Sequence, residues 1–108
     1  MSKNHVALLF AASWALCASA ALAGADAGKV KARPCSVCHG PQGLSVLPQA
    51  PHLAGQPEEY LAEQLKAYRS GRRVNDIMTL MAKPLSDDDI ADLAAWFASI
   101  RIEVKPTP

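Results

Sequence analysis

The sequence predicts an all-α fold, and three observations support this prediction. No segment alternates apolar and polar residues convincingly, as a half-buried strand would. Residues that typically begin or end helices flank several segments. Finally, apolar residues near the C-terminus recur at helical spacing, namely Ile90, Leu93, Ala94, Phe97 and Ile100. We therefore expect helices joined by loops rich in glycine and proline.

The first helix is predicted to begin near Asp26, which can cap it, and to cover residues 27–33. Pro34 should end or kink this helix, because proline lacks the N–H and disfavours helical backbone before it. From Gly40 to Gly55 the chain is rich in glycine, proline and glutamine. We interpret this segment as a long loop wrapped around a bound group.

The second helix is predicted over residues 57–70. Pro57 suits the first helical position, and Gly71 suits the position just beyond the helix end. The segment 74–85 follows and contains two methionines. It is predicted to be irregular.

The last helix has the clearest start signal. Ser86 and Asp89 have the spacing of a capping box, with aspartate in the place of the usual glutamate or glutamine. The periodic apolar residues that follow would form its buried face.

The motif Cys35-Ser36-Val37-Cys38-His39 predicts covalent attachment of a c-type haem. The two thiols can add to the two vinyl groups of the porphyrin, and the histidine can then ligate the iron. A redox dithiol or half of a zinc site is the alternative. Zinc would need further ligands, and only Cys17, His5 and His52 remain. The first two lie in a segment that we expect to be removed.

Residues 1–23 are predicted to be a cleaved secretory signal peptide, which leaves a single domain over 24–108. Lys3 precedes an apolar run over 6–18, and small residues lie before a cleavage site after Ala23. Cleavage after Ala25 and an uncleaved membrane anchor are the alternatives.

Composition narrows the choice of partners. The formal net charge is only +1, so the chain lacks the strongly basic character typical of nucleic-acid binding. Beyond the apolar run near the N-terminus, no stretch predicts a membrane span. Haem is attached to such motifs outside the cytoplasm, so a periplasmic location and contact with haem-attachment machinery are expected.

Several separate stretches agree, in order, with a known family. They are Cys35 to Gly40, Pro51-His52-Leu53-Ala54-Gly55-Gln56, Tyr60-Leu61 with Gln64-Leu65, Ile77-Met78 leading into Pro84-Leu85-Ser86, and Leu93-Ala94-Ala95-Trp96-Phe97-Ala98-Ser99. The sequence resembles a class I cytochrome c, and more narrowly one half of the bacterial dihaem cytochromes c of subclass four. The resemblance implies a small cytochrome c fold, with helices wrapped around one covalently attached haem.

The sequence departs from the family pattern at three points. It has one haem motif, which predicts a monohaem protein. Trp96 replaces a more usual tyrosine, and Pro34 directly precedes the first cysteine.

His39 is the predicted proximal ligand of the haem iron. The resemblance places the sixth ligand seven residues before the leucine of Leu85-Ser86, which is Met78. The residues alone leave Met81 open, because either methionine could instead fill a gap in the core. His52 could coordinate iron in principle, but we interpret it as a solvent-exposed polar residue.

Further roles follow from the resemblance. The Pro51 carbonyl would accept the ring N–H of His39 and fix its tautomer, with Pro48 as the competitor. Apart from the resemblance, the arginines Arg72 and Arg73 are candidates for contact with a haem propionate or with an acidic patch of a partner, and a solvated helix end is the alternative for them.

The resemblance also implies that the first and last helices cross at Gly28 and Phe97. A glycine lets two helices approach closely, and an aromatic ring can fill the facing space.

The leading functional hypothesis is an electron carrier, rather than an enzyme, that exchanges one electron with respiratory or dehydrogenase partners through a transient interface. The first alternative is a haem c subunit of a larger periplasmic oxidoreductase. The second is a ligand-binding or peroxidase-type haem protein, which would need an open sixth position.

Overall fold

A computed structural model describes residues 24–108, and residues 24–31 form its first helical segment, α1. The predicted signal peptide and its cleavage site lie outside the described residues. A 3-10 turn over Arg33–Cys35 follows α1, and the remaining helices are α2 (Ser36–His39), α3 (Glu58–Ser70), α4 (Asp76–Ala82) and α5 (Asp87–Ser99). Strands are absent from residues 24–108, and the all-α prediction is confirmed.

The predicted start of α1 at Asp26 is wrong. The chain is already helical at Gly24, so Asp26 lies within the helix and does not cap it. A side chain at Gly24 would lie 3.6 Å from an Asp92 carboxylate oxygen and 3.8 Å from the Ala95 Cβ, both of α5. The local signal at Asp26 thus misplaced the boundary, and Gly24 lies beside α5.

Pro34 limits α1 as predicted, although the helix ends two residues earlier than expected. The Cys35 N–H donates to the Ala32 carbonyl at 2.9 Å, which forms the 3-10 turn that contains Pro34. Proline fits this turn because it lies where no helical donor is needed. The turn leads directly into α2 and thus into the haem motif.

Gly28 marks a close crossing of α1 and α5, as the resemblance implied. A Cβ added at Gly28 would overlap the Asp92 carbonyl oxygen and lie 2.8 Å from the Trp96 Cβ. The residues of α5 that face Gly28 are therefore Asp92 and Trp96, not Phe97. The Phe97 ring instead lies at Gly43, where an added Cβ would be 2.9 Å from Phe97 Cδ1.

We expect Gly28→Ala to destabilise the holoprotein by about 3 kcal/mol, at the upper end of the usual range for overpacking. The added methyl group meets a backbone carbonyl, which cannot rotate away as a side chain can. The measurement is the free energy of unfolding in denaturant. Gly24→Ala is the matched control, since its new Cβ would make only ordinary contacts and alanine favours a helix. Equal stability of the two variants would contradict the crossing.

Lys31 links the end of α1 to the first turns of α5. Its Nζ lies 2.7 Å from Asp92 Oδ2 and 2.9 Å from Asp89 Oδ1. The hydrogen bond to Asp92, and secondly the one to Asp89, raise the pKa of Lys31 above its ordinary value. The pKa of Asp89 is lowered to about 2, mainly by its hydrogen bond with Lys31 and secondly by the hydrogen bond from the Ser86 N–H. Asp89 therefore serves both this ion pair and the cap of α5.

The predicted capping box of α5 is confirmed. The Ser86 hydroxyl oxygen accepts from the Asp89 N–H, and the Asp89 carboxylate accepts from the Ser86 N–H, each at 3.0 Å. Two donors at the start of α5 are thereby satisfied.

The predicted bounds of α3 are nearly correct. Pro57 occupies the N-cap position, one residue before the first helical residue, Glu58. Gly71 ends the helix with a φ of 81°, the left-handed conformation expected of a C-terminal glycine.

The prediction that residues 74–85 are irregular is wrong, because α4 forms within them. The Asn75 side chain caps α4, accepting from the Ile77 N–H at 3.1 Å and from the Met78 N–H at 2.9 Å. The Asn75 N–H in turn donates to Thr79 Oγ1 at 3.1 Å. Two turns are too short for a periodic pattern to stand out, and the cap at Asn75 was the signal that could have revealed the helix.

The apolar core lies between α3 and α5 and includes Ala32, the residue just after α1. The predicted apolar face of α5 is buried up to Phe97, whereas Ile100 is half-buried just beyond the helix. The buried cluster consists of Ala32, Leu61, Leu93, Ala94 and Phe97. Among the helices of residues 24–108, none is long and apolar enough to cross a membrane.

Candidate functional site

A cavity of about 600 Å³ lies beside this core and is bordered by the haem motif, the loop after it, α3, α4 and α5. Its walls are mainly apolar and include Leu53, Leu61, Leu65, Leu85, Leu93 and Phe97. A space of this size and character is typical of a site for a cofactor rather than for water.

The haem motif forms one border of this cavity. Cys35, Cys38 and His39 all line it, and the two cysteines are free thiols. Burial raises the pKa of the Cys35 thiol, whereas reactive dithiols have a lowered pKa. Within residues 24–108, no three His, Cys, Asp or Glu side chains cluster as a zinc site requires. Both thiols and the histidine thus border one apolar cavity, the arrangement that covalent attachment of a cofactor needs.

The His39 ring is buried and held in one orientation. Its Nδ1 lies 2.8 Å from the Pro51 carbonyl oxygen, and the residue is 6% exposed. A carbonyl oxygen can only accept, so Nδ1 donates, and in the neutral imidazole Nε2 then keeps its lone pair. This is the arrangement that a metal-ligating histidine requires. The contact is made by Pro51, as the resemblance implied, and not by Pro48.

Gly43 folds the long loop so that Pro51 reaches His39. The Gly43 carbonyl accepts from the Leu53 N–H at 2.8 Å and from the Ala54 N–H at 3.1 Å. Its φ of 70° favours glycine, and an added Cβ would lie 2.8 Å from the Ala54 nitrogen. The Gly55 N–H then donates to the Phe97 carbonyl at 2.9 Å, which joins the loop to α5.

Both methionines of α4 line the cavity. Met78 and Met81 are three residues apart, so they lie on the same face of the helix. Met78 is half-buried, and Met81 is 39% exposed. The placement of α4 thus brings two thioethers to the site and leaves both as candidates for the iron ligand.

Arg69 fixes the position of the turn between α4 and α5, a role that the sequence did not reveal. Its Nη1 donates to the Leu85 carbonyl at 3.0 Å, and its Nη2 lies 2.6 Å from Asp87 Oδ1. The bond to Arg69 lowers the pKa of Asp87. No local pattern could have shown this contact, because its partners lie 16 and 18 residues further along the chain.

The two arginines proposed for propionate contact lie in different surroundings. Arg73 lines the cavity, stacks over the Tyr68 ring at 4.7 Å from its centroid and donates to Gln64 Oε1 at 2.8 Å. Arg72 is outside the cavity lining, with its Nη2 3.9 Å from Glu63 Oε2. Of the pair, Arg73 is placed to meet a cofactor carboxylate.

His52 is solvent-exposed, as predicted, but it also borders the cavity. Its Nδ1 accepts from the Ser45 N–H at 2.8 Å. Ser45 was not among the residues that the sequence singled out.

Residues 25–101 match the family described as Cytochrome c, and the chain belongs to this family. It is 46% identical over 78 residues to cytochrome c-554(548) of Halomonas halodenitrificans, a match covering 69% of this chain and 94% of that protein. It is 42% identical over 105 residues to a thiosulfate dehydrogenase electron acceptor of Thiomonas intermedia, covering 95% of this chain and 46% of that protein.

The fold also matches a solved structure, reduced recombinant cytochrome c4 from Pseudomonas stutzeri. The TM-score is 0.68 at 42% identity, and the match covers 71% of this chain and 45% of that one. The chain thus spans about half the length of its cytochrome c4 relative, and the predicted resemblance to one half of such proteins is confirmed.

Family membership confirms the small cytochrome c fold and a single, covalently bound haem c. The geometry of the site also fits a haem, independently of the family match. Two free thiols and a buried histidine with a free Nε2 border one apolar cavity of about 600 Å³.

Proposed function

We propose that this chain is a periplasmic electron-transfer protein whose haem is attached through Cys35 and Cys38 and ligated by His39 and Met78. One observation carries the proposal. A single cavity brings together the thiols, an imidazole whose Nε2 is free and the half-buried Met78. The haem, when bound, supplies an iron that carries one electron between the ferric and ferrous states.

The side chains around the cavity have three tasks in this function. His39 and Met78 would both ligate the iron, which would leave no site there for a substrate. The apolar wall, to which Leu61 and Phe97 belong, keeps water away and thereby limits reorganisation when charge changes. Arg73 can compensate a propionate charge at the rim.

The relatives support electron transfer as the activity. One of them is described as the electron acceptor of a thiosulfate dehydrogenase. By analogy, we propose that this chain accepts electrons from a dehydrogenase or a respiratory complex through a small, transient interface. Export is supported by the sequence of residues 1–23, which has the features of a signal peptide.

A spectroscopic redox titration of the purified holoprotein tests this function. We expect a reversible one-electron transition and, in the ferric form, the long-wavelength absorption band that reports sulfur coordination to iron. We also expect no binding of carbon monoxide to the ferrous form, because Met78 would already ligate the iron. Ready binding of carbon monoxide, together with a missing sulfur band, would favour a ligand-binding haem protein instead.

A further inference from the structure

The Pro51 carbonyl determines how the His39 ring is held, so the contacts that place this carbonyl also matter for the site. Proline has no N–H, and Pro51 therefore cannot fix itself through a backbone donor. After it, the Leu53 N–H donates to the Gly43 carbonyl at 2.8 Å. Between them lies His52, whose backbone directly follows the critical carbonyl.

The His52 side chain connects the two sides of the loop. Its Nδ1 accepts from the Ser45 N–H at 2.8 Å. A backbone N–H can only donate, so Nδ1 carries no proton in this structure. The bond joins the residue after Pro51 to a point seven residues earlier in the chain.

Ser45 extends this connection to the haem motif. Its Oγ lies 3.0 Å from the Cys38 carbonyl and 2.9 Å from the Leu47 carbonyl, so its single proton is shared between two acceptors. Oγ also accepts from the Leu47 N–H at 3.1 Å, which holds Ser45 in a local turn.

These contacts form a closed ring. Cys38 and His39 are neighbours in the chain, and the His39 Nδ1 donates a hydrogen bond to the Pro51 carbonyl. Pro51 and His52 are also neighbours in the chain. Ser45 is hydrogen-bonded both to His52 and to Cys38, which closes the ring. The ring contains three hydrogen bonds, and only one of them touches the proposed iron ligand directly.

We infer that His52 and Ser45 are positioning residues that hold the Pro51 carbonyl against His39. The inference rests on the proposed function, in which His39 ligates the haem iron. A firm bond from Nδ1–H to a carbonyl fixes the ring and raises the basicity of the opposite nitrogen. His52 would thereby tune the haem from the loop, without touching the iron.

Replacing His52 should remove the link to Pro51 without otherwise disturbing the packing of the loop. His52 is exposed, so its removal opens no buried cavity. The Leu47 contacts would still hold Ser45 when His52 is removed. The link across the loop to Pro51 is therefore what the substitution would remove.

The test compares His52→Ala with His52→Asn in the purified holoprotein. The asparagine carbonyl can accept from the Ser45 N–H in place of Nδ1, whereas alanine cannot. Gln49→Ala is the control, since Gln49 is another exposed polar residue of the same loop. Two properties are measured, namely solvent exchange of the His39 Nδ1 proton by NMR of the reduced protein and the redox potential.

In His52→Ala, we expect exchange of the His39 Nδ1 proton to accelerate about fivefold, as loss of one hydrogen bond implies. The potential should shift upward, because a less basic ligand stabilises the ferric state less. His52→Asn should restore both values, and Gln49→Ala should change neither.

Unchanged exchange and potential in His52→Ala would overturn the inference while leaving the proposed function intact. A lower melting temperature in both His52 variants, with unchanged proton exchange and unchanged potential, would also overturn the inference. By contrast, a wild-type protein without an axial histidine signal would overturn the proposed function, and the inference with it.

Discussion

Replacing His39 with alanine is expected to abolish the stable holoprotein. The buried His39 ring is hydrogen-bonded to the Pro51 carbonyl. Loss of the ring therefore removes both the proposed iron ligand and a contact that holds the long loop. A domain of this size buries too little surface to be robust without its cofactor. We expect the yield of haem-containing protein to fall roughly tenfold or more, by the linkage between binding and folding. Haem content and cooperative thermal unfolding are the measurements.

His52→Asn is the matched control for the loss of a histidine from the same site. It keeps the acceptor for the Ser45 N–H and should preserve haem content. Recovery of a low-spin haem protein that unfolds cooperatively from the His39→Ala strain would show that His39 is not the proximal ligand.

Replacing Met78 with alanine should remove the sulfur band, lower the redox potential and allow carbon monoxide to bind. A methionine opposite histidine raises the potential, because a thioether stabilises ferrous iron. Met78 is half-buried at the cavity, and its N–H is held by the Asn75 side chain at 2.9 Å. The ferric absorption spectrum and a redox titration measure these changes.

Met81→Ala is the control, because Met81 lies one turn further along the same face of α4. It is 39% exposed, so its loss should cost less than about 2 kcal/mol, below the range for buried methionines. Loss of the sulfur band in Met81→Ala, with retention in Met78→Ala, would exchange the two roles. An unchanged band in both would argue against methionine ligation altogether.

Short-range chemistry made much of this protein predictable. The spacing of Cys35, Cys38 and His39 indicated covalent haem, because two thiols separated by two residues fit the two vinyl groups and the next residue can reach the iron. The capping box at Ser86 and the glycine after α3 placed two helix ends for the same reason. Each signal acts within about four residues, so neighbours along the chain suffice to reveal it. The ligand roles of His39 and Met78, and the cleavage after Ala23, stay predictions.

Local patterns failed wherever distant contacts decided the outcome. The start of α1 was misplaced at Asp26, since the chain is already helical at Gly24, which lies beside α5. Asp92 and Trp96 rather than Phe97 face Gly28, since the rotation of α5 about its axis decides which of its residues meet the glycine. Periodicity identifies the buried side of a helix but not its partner.

By itself, the sequence determined the helical class, the haem motif and the family, because these depend on residues close together or on ordered motifs. Only the tertiary structure decided that Arg73 and not Arg72 borders the cavity, and that Arg69 holds the turn before α5. It also joined Ser45 and His52 beside the haem motif. Contacts of this kind depend on the path of the loop and on the packing of α3 against α5, which no local pattern encodes.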